Sequence, residues 1–134
     1  MCYQTDTSAA GGPTVLIVED DFSIRESLSE MLREEGYTVE TAEHGRQALE
    51  RLHAGVQPAI ILLDLMMPVM DGWQVLEALE AHPTLSRVPV IVVSAAVGNV
   101  PAHARGFLRK PIRFAKLLEA INGQLSDAPG GARP

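Results

Sequence analysis

Three apolar runs and one shorter strand-like stretch of this chain each end on a residue able to do chemistry. Val15–Val18 stops at Glu19-Asp20-Asp21, Ala59–Leu63 at Asp64, Val88–Val93 at Ser94, and Gly106–Arg109 at Lys110. A polar residue after a strand is common and says little alone. The set says more, because an acidic run and a lone carboxylate are joined by one hydroxyl and one ammonium. Lys110 and Lys116 are the chain's two lysines, and Lys110 sits at a strand end. Carboxylates gathered in one crevice repel: at an effective dielectric near 20, a pair about 4 Å apart costs roughly 4 kcal/mol. A cation must compensate. Oxygen donors without imidazole or thiolate favour Mg2+ over a softer metal. A carboxylate beside Mg2+, with a hydroxyl and an ammonium placed to receive an anion, suits phosphoryl transfer onto the carboxylate.

The elements between these positions explain how they could meet. Ile24, Leu28, Met31 and Leu32 recur at helical spacing toward Gly36, and Tyr37–Thr41 reads as a short edge strand. Ala48, Leu49 and Leu52 mark a second helix, stopped by Gly55 and Pro58. Val75, Leu76 and Leu79 mark a third, stopped by Pro83. Phe114, Leu117, Leu118, Ile121 and Leu125 share one side of the last helix. Strands alternating with helices predict a parallel sheet covered on both faces, and continuous apolar runs fit strands buried on both sides. In doubly wound sheets the ligand crevice lies beyond the carboxyl ends of the strands, where strand order reverses.

Length and composition bound the rest. At 134 residues the chain has room for one domain, expected over 14–125, between polar, flexible tails at 1–13 and 126–134. Asp and Glu number 17 against 11 Lys and Arg, a net charge of −6. With no basic run, direct DNA binding and attachment to anionic membrane are not expected. No apolar stretch reaches membrane-spanning length and no secretory leader is evident. The single cysteine, Cys2, forms no internal disulfide, which fits a reducing cytoplasm. Asp21 is read as a solvated or helix-capping carboxylate. Trp73 is expected to be partly exposed packing. His44, His53, His82 and His103 lack ligand spacing and are read as surface residues.

The stretches IVEDDFSIRESL (17–28), LLDLMMPVMDGWQVL (62–76), VIVVSA (90–95) and FLRKPI (107–112) resemble the receiver domains of two-component response regulators. The resemblance implies a flavodoxin-like five-stranded parallel sheet of order 2-1-3-4-5. Asp64, followed by Met66, Pro68 and Asp71-Gly72, matches the phospho-accepting aspartate. Asp20 matches the direct Mg2+ ligand, Glu19 its neighbour acting through metal-bound water, and the Met66 backbone carbonyl the main-chain ligand. Ser94 matches the hydroxyl residue that moves onto the phosphoryl group, and Lys110 the lysine that pairs with its oxygens. Phe107 matches the switch aromatic, with plain core packing as the alternative.

In one place the chain departs from the family. Only 15 residues separate Ser94 from Lys110, and 95–105 contains Gly98 and Pro101, so a three-turn helix does not fit there. The helix between the fourth and fifth strands, fourth in the family's order, is expected to be short or missing. In the family that helix belongs to the usual surface for dimerisation and output, so the output geometry should differ. A flavin carrier of the same fold is disfavoured, because Glu-Asp-Asp after the first strand would repel a phosphate. A phosphatase of the haloacid dehalogenase type is disfavoured because position 66 is Met where a second Asp is needed. The expectation is a stand-alone, non-enzymatic, cytoplasmic regulator. It takes its phosphoryl group from a sensor histidine kinase or histidine phosphotransfer protein and acts through protein contacts, with a weak homodimer left open. The alternative is a receiver-like scaffold acting without phosphorylation.

Overall fold

A computed structural model describes residues 12–67, 69–95 and 104–126. The expectations for Cys2, Pro68, His103, most of both tails and the segment 96–103 lie outside the described residues. The strands are β1 (Thr14–Val18), β2 (Thr38–Ala42), β3 (Ile60–Asp64), β4 (Val90–Ser94) and β5 (Gly106–Arg109). Among the described residues the helices are α1 (Phe22–Glu34), α2 (Gly45–His53), α3 (Gly72–Ala81) and α4 (Phe114–Ser126), with a 3-10 turn at Leu85–Arg87. All strand pairs are parallel, as the sequence pattern predicts, and the order is β2-β1-β3-β4-β5, as the resemblance implies.

Side-chain alternation along the strands splits the core into two layers. Leu16 and Val18 of β1 join Ile61 and Leu63 of β3 under α2 and α3, with Ala48, Leu52, Val75 and Leu79. Val15 and Ile17 join Ile60 and Leu62 under α1 and α4, with Leu28, Leu32, Leu117 and Ile121. Burial on both faces is why the central strands read as unbroken apolar runs.

Two local features correct the sequence reading. The buried stripe of α1 is Arg25, Leu28, Ser29 and Leu32, while Met31 is 40% exposed. Hydrophobic periodicity misses this, because two positions of the stripe are polar residues satisfied by the backbone. Ser29 Oγ donates to the Arg25 carbonyl at 2.7 Å. The edge strand starts at Thr38 because Tyr37 closes α1. Its N–H donates to the Leu32 carbonyl and that of Gly36 to Arg33, with Gly36 at φ 98° in the left-handed region. At the amino end, Gly12 N–H donates to the Gly36 carbonyl and Thr38 N–H to that of Pro13. Main-chain pairing thus takes in Gly12 and Pro13, and α4 takes in Ser126.

Candidate functional site

Strand register brings the chemistry together. Val18 pairs with Leu63, so Glu19 follows β1 alongside Asp64, the last residue of β3. Strand order reverses between these two strands, the place where doubly wound sheets hold ligands. Asp64 pairs with Val93 of β4, and Ser94 with Arg109 of β5. Lys110 N–H then donates to the Ser94 carbonyl at 3.0 Å, anchoring the lysine two strands away from Asp64. Neighbouring strands stand about 4.8 Å apart, so only a long side chain spans back to β1 and β3.

Lys110 does span it. Its Nζ lies 2.9 Å from Glu19 Oε1 and 3.3 Å from Asp64 Oδ2. Glu19 is 3% exposed, Asp64 4% and Ser94 0%, whereas Asp20 is exposed. The other oxygens of the buried pair are held by the main chain. Asp21 N–H donates to Glu19 Oε2 at 3.0 Å, and Met66 N–H to Asp64 Oδ1 at 3.1 Å. Burial pushes the Glu19 carboxyl above its usual range, and the Asp64 charge adds to the rise. The hydrogen bonds from Lys110 and Asp21 offset it only in part. Burial works the other way on Lys110, but bonding to and attraction by Glu19 and Asp64 together outweigh it and raise its pKa. Lys110 is the compensating cation that the clustered carboxylates demand.

Helix starts frame the site. Asp21 caps α1, its side chain accepting from Ile24 N–H, as the sequence predicts. Asp71 caps α3 in a reciprocal box with Gln74. Gly72, next in the chain, lies so close that a Cβ would sit 2.7 Å from the Asp64 carbonyl and from the Leu65 Cα. A side chain there would displace the backbone that carries Asp64. Met66 is exposed beside the acidic pair, Phe107 is half-buried against the α2/α3 core layer, and Trp73 is 44% exposed.

One carboxylate oxygen from each of Glu19, Asp20 and Asp64 can be chosen so that all lie within 4.8 Å of one another. This all-oxygen set fits a hard divalent cation such as Mg2+. The described histidines stand apart from it. His44 and His82 are half-buried rather than plain surface residues, for each accepts backbone N–H groups through Nδ1. His44 caps α2 through Gln47 N–H, and His82 caps the 3-10 turn through Thr84 and Leu85 N–H. Arg25 was not legible as part of the site; it is 8% exposed and its Nη1 donates to the Glu19 carbonyl at 2.8 Å.

With this geometry in hand, comparison with known proteins is specific. The sequence profile of the response regulator receiver domain matches residues 15–122. The response regulator MprA of Mycolicibacterium vanbaalenii is 38% identical over 117 residues, covering 83% of this chain and 49% of its own length. The transcriptional regulatory protein HprR of Escherichia coli is 34% identical over the same share of this chain and 51% of its own. The chain thus spans about half the length of the curated relatives it matches. Among solved structures, a signal receiver domain of a histidine kinase from Syntrophus aciditrophicus superposes with a TM-score of 0.78 at 30% identity, covering 89% of this chain and 94% of that one. The response regulator TrrA of Thermotoga maritima, solved with Mg2+ and BeF, gives 0.76 at 28% identity, covering 84% and 99%.

Proposed function

Since this chain belongs to the receiver domain family of two-component response regulators, we propose that it accepts a phosphoryl group on Asp64 in a Mg2+-dependent reaction. The observation that carries the reading is Lys110 Nζ bridging buried Glu19 and Asp64 where strand order reverses. Asp64 is the nucleophile: one carboxylate oxygen bonds to phosphorus while the bond from phosphorus to a donor imidazole breaks. The imidazole nitrogen keeps the electron pair and takes a proton. Lys110 pairs with Asp64 and stands ready to pair with the incoming phosphoryl oxygens. Glu19, Asp20, Asp64 and the Met66 carbonyl would hold Mg2+, which when bound offsets charge on the transferring group. Ser94 supplies a hydroxyl to the phosphorylated state, and Phe107 moves into the space it leaves.

The donor is a sensor histidine kinase or a histidine phosphotransfer protein. An apolar groove of about 610 Å3, lined by Ile24, Leu28, Met31, Ile112 and Phe114, opens beside Lys110 and gives such a partner a footing next to the acceptor. The domain assists its own phosphorylation and dephosphorylation, turns over no separate metabolite, and works in the cytoplasm through protein contacts rather than by holding DNA itself. Incubation with acetyl phosphate and Mg2+, followed by peptide mass mapping, tests the central step. Label on Asp64 that is lost in Asp64→Asn and with EDTA is the expected outcome. Equal labelling of Asp64→Asn would remove the assignment, and no labelling of wild type would favour a scaffold that acts unphosphorylated.

A further inference from the structure

Arg25 is a buried charge that the phosphoryl-transfer reading does not use. It sits one turn into α1, at the helix's positive end, where a cation is disfavoured. Its side chain has no carboxylate partner among the ion pairs of the described residues. Its contacts are the Glu19 carbonyl, 2.8 Å from Nη1, and the face of Phe22, 5.5 Å from the guanidinium carbon. Burying an arginine on these terms is costly unless what it holds matters.

What it holds is the hinge between strand and acidic run. Glu19 N–H donates to the Ala42 carbonyl at 3.0 Å, tying one side of the residue to the end of β2. The Glu19 carbonyl accepts from Arg25, tying the other side to α1. With both peptide groups fixed, the Glu19 side chain leaves the backbone in one direction, toward Lys110, and Asp20 follows directly in the chain. The Arg25 main chain belongs to the same frame: its N–H donates to the Asp21 carbonyl at 3.0 Å, and its carbonyl accepts from Ser29 Oγ. We infer that Arg25 is the positioning residue of the acidic site, its guanidinium fixing where the Glu19 and Asp20 carboxylates stand.

The metal arm of the test rests on the reading of these carboxylates as a Mg2+ site; the apo arm does not. The wild-type chain, Arg25→Met, Arg25→Lys and Leu32→Ala are compared, Leu32 being a fully buried neighbour on the same helix that lies outside the groove, so that its truncation costs stability alone. Calorimetric titration with Mg2+ should show Arg25→Met binding about tenfold more weakly, the lower end of the range for residues that orient metal ligands from behind. Arg25→Lys should fall between it and wild type, and Leu32→Ala should match wild type. Without metal, exchange of the Asp21 amide, which donates to Glu19 Oε2, should quicken relative to that of Ile17 in Arg25→Met, because the bond that protects it is no longer held in place. In Leu32→Ala the ratio should hold. If Arg25→Met does not fold, Arg25→Lys carries both readouts. Wild-type Mg2+ affinity together with an unchanged amide ratio in the Arg25 variants would overturn the inference. Absence of Mg2+ binding by wild type would instead remove the metal reading, and the amide ratio alone would decide on Arg25.

Discussion

The two ends of the sheet are built on opposite terms. At the amino end, neighbouring segments are joined by main-chain bonds and neutral side chains: Ala59 N–H to the Thr14 carbonyl, Thr38 to Pro13 and Arg105 to Val90, with the Tyr37 hydroxyl donating to Asn122 Oδ1 and Gln124 Nε2 to the Arg105 carbonyl. Glu19, Arg25 and Asp64, the charged residues that are buried among those described, all lie at the other end. At the carboxyl end, Glu19 and Asp64 are buried within reach of Asp20, and one lysine balances them. The same strands therefore run from a region that stabilises the fold into one that costs stability to keep. Such an arrangement persists when the costly end does chemistry, since neutral residues would pack there with less strain.

This contrast can be broken first at its apolar middle. Leu16→Ala empties a fully buried position between the ends and should lower unfolding free energy by about 3–4 kcal/mol in urea titration. Its Mg2+ affinity, measured on folded protein, should stay at the wild-type value. A large loss of affinity would mean that the two ends are not separable.

A smaller but more telling effect is expected at Lys110. Lys110→Met keeps the stem and removes the charge, leaving Glu19 and Asp64 facing one another. Without metal the protein should lose about 2–3 kcal/mol, somewhat below the usual cost of breaking a fully buried pair because the ammonium is partly exposed. Mg2+ should restore much of that loss and bind more tightly than to wild type, since no ammonium competes for the carboxylates. Phosphoryl labelling should nonetheless fall. If Mg2+ binds Lys110→Met no better than wild type, the lysine is not the cation that stands in for the metal.

The smallest effect separates repulsion from pairing. Asp20 is exposed and lies outside the Lys110 ion pairs, so Asp20→Asn removes a repelling charge and breaks no bridge. Stability without metal should rise, by no more than about 1 kcal/mol given solvent screening. The stabilisation that Mg2+ gives wild type, about 2.7 kcal/mol at 100 times Kd, should shrink. Asp64→Asn should gain less without metal, because it also weakens the hold of Lys110. Equal gains in both variants would show that the Lys110–Asp64 contact contributes nothing.

The carboxyl end was the more legible of the two in sequence, and for a physical reason. Glu19, Asp20, Asp64 and Lys110 each follow a strand whose composition announces it, so topology alone gathers them. Arg25 and Ser29 were hidden because a polar residue on a buried stripe breaks the apolar pattern, and its justification is a main-chain carbonyl that sequence does not display. The capping roles of His44 and His82 were hidden similarly. A neutral imidazole caps through one nitrogen, and no spacing between histidines signals it. The start of β2 was misread by one residue because Tyr37 has strand character yet spends its N–H closing α1. Of the expected departure between β4 and β5, the described residues Ala95, Ala104 and Arg105 are non-helical.

The most direct test of the account is fluorine NMR of the protein with beryllofluoride, a mimic of the transferred phosphoryl group that bonds to a carboxylate oxygen. With Mg2+, wild type should give resonances of bound fluoride distinct from free beryllofluoride, and these should vanish on adding EDTA and be absent from Asp64→Asn. Bound resonances that survive in Asp64→Asn, or that form equally well without Mg2+, would contradict it.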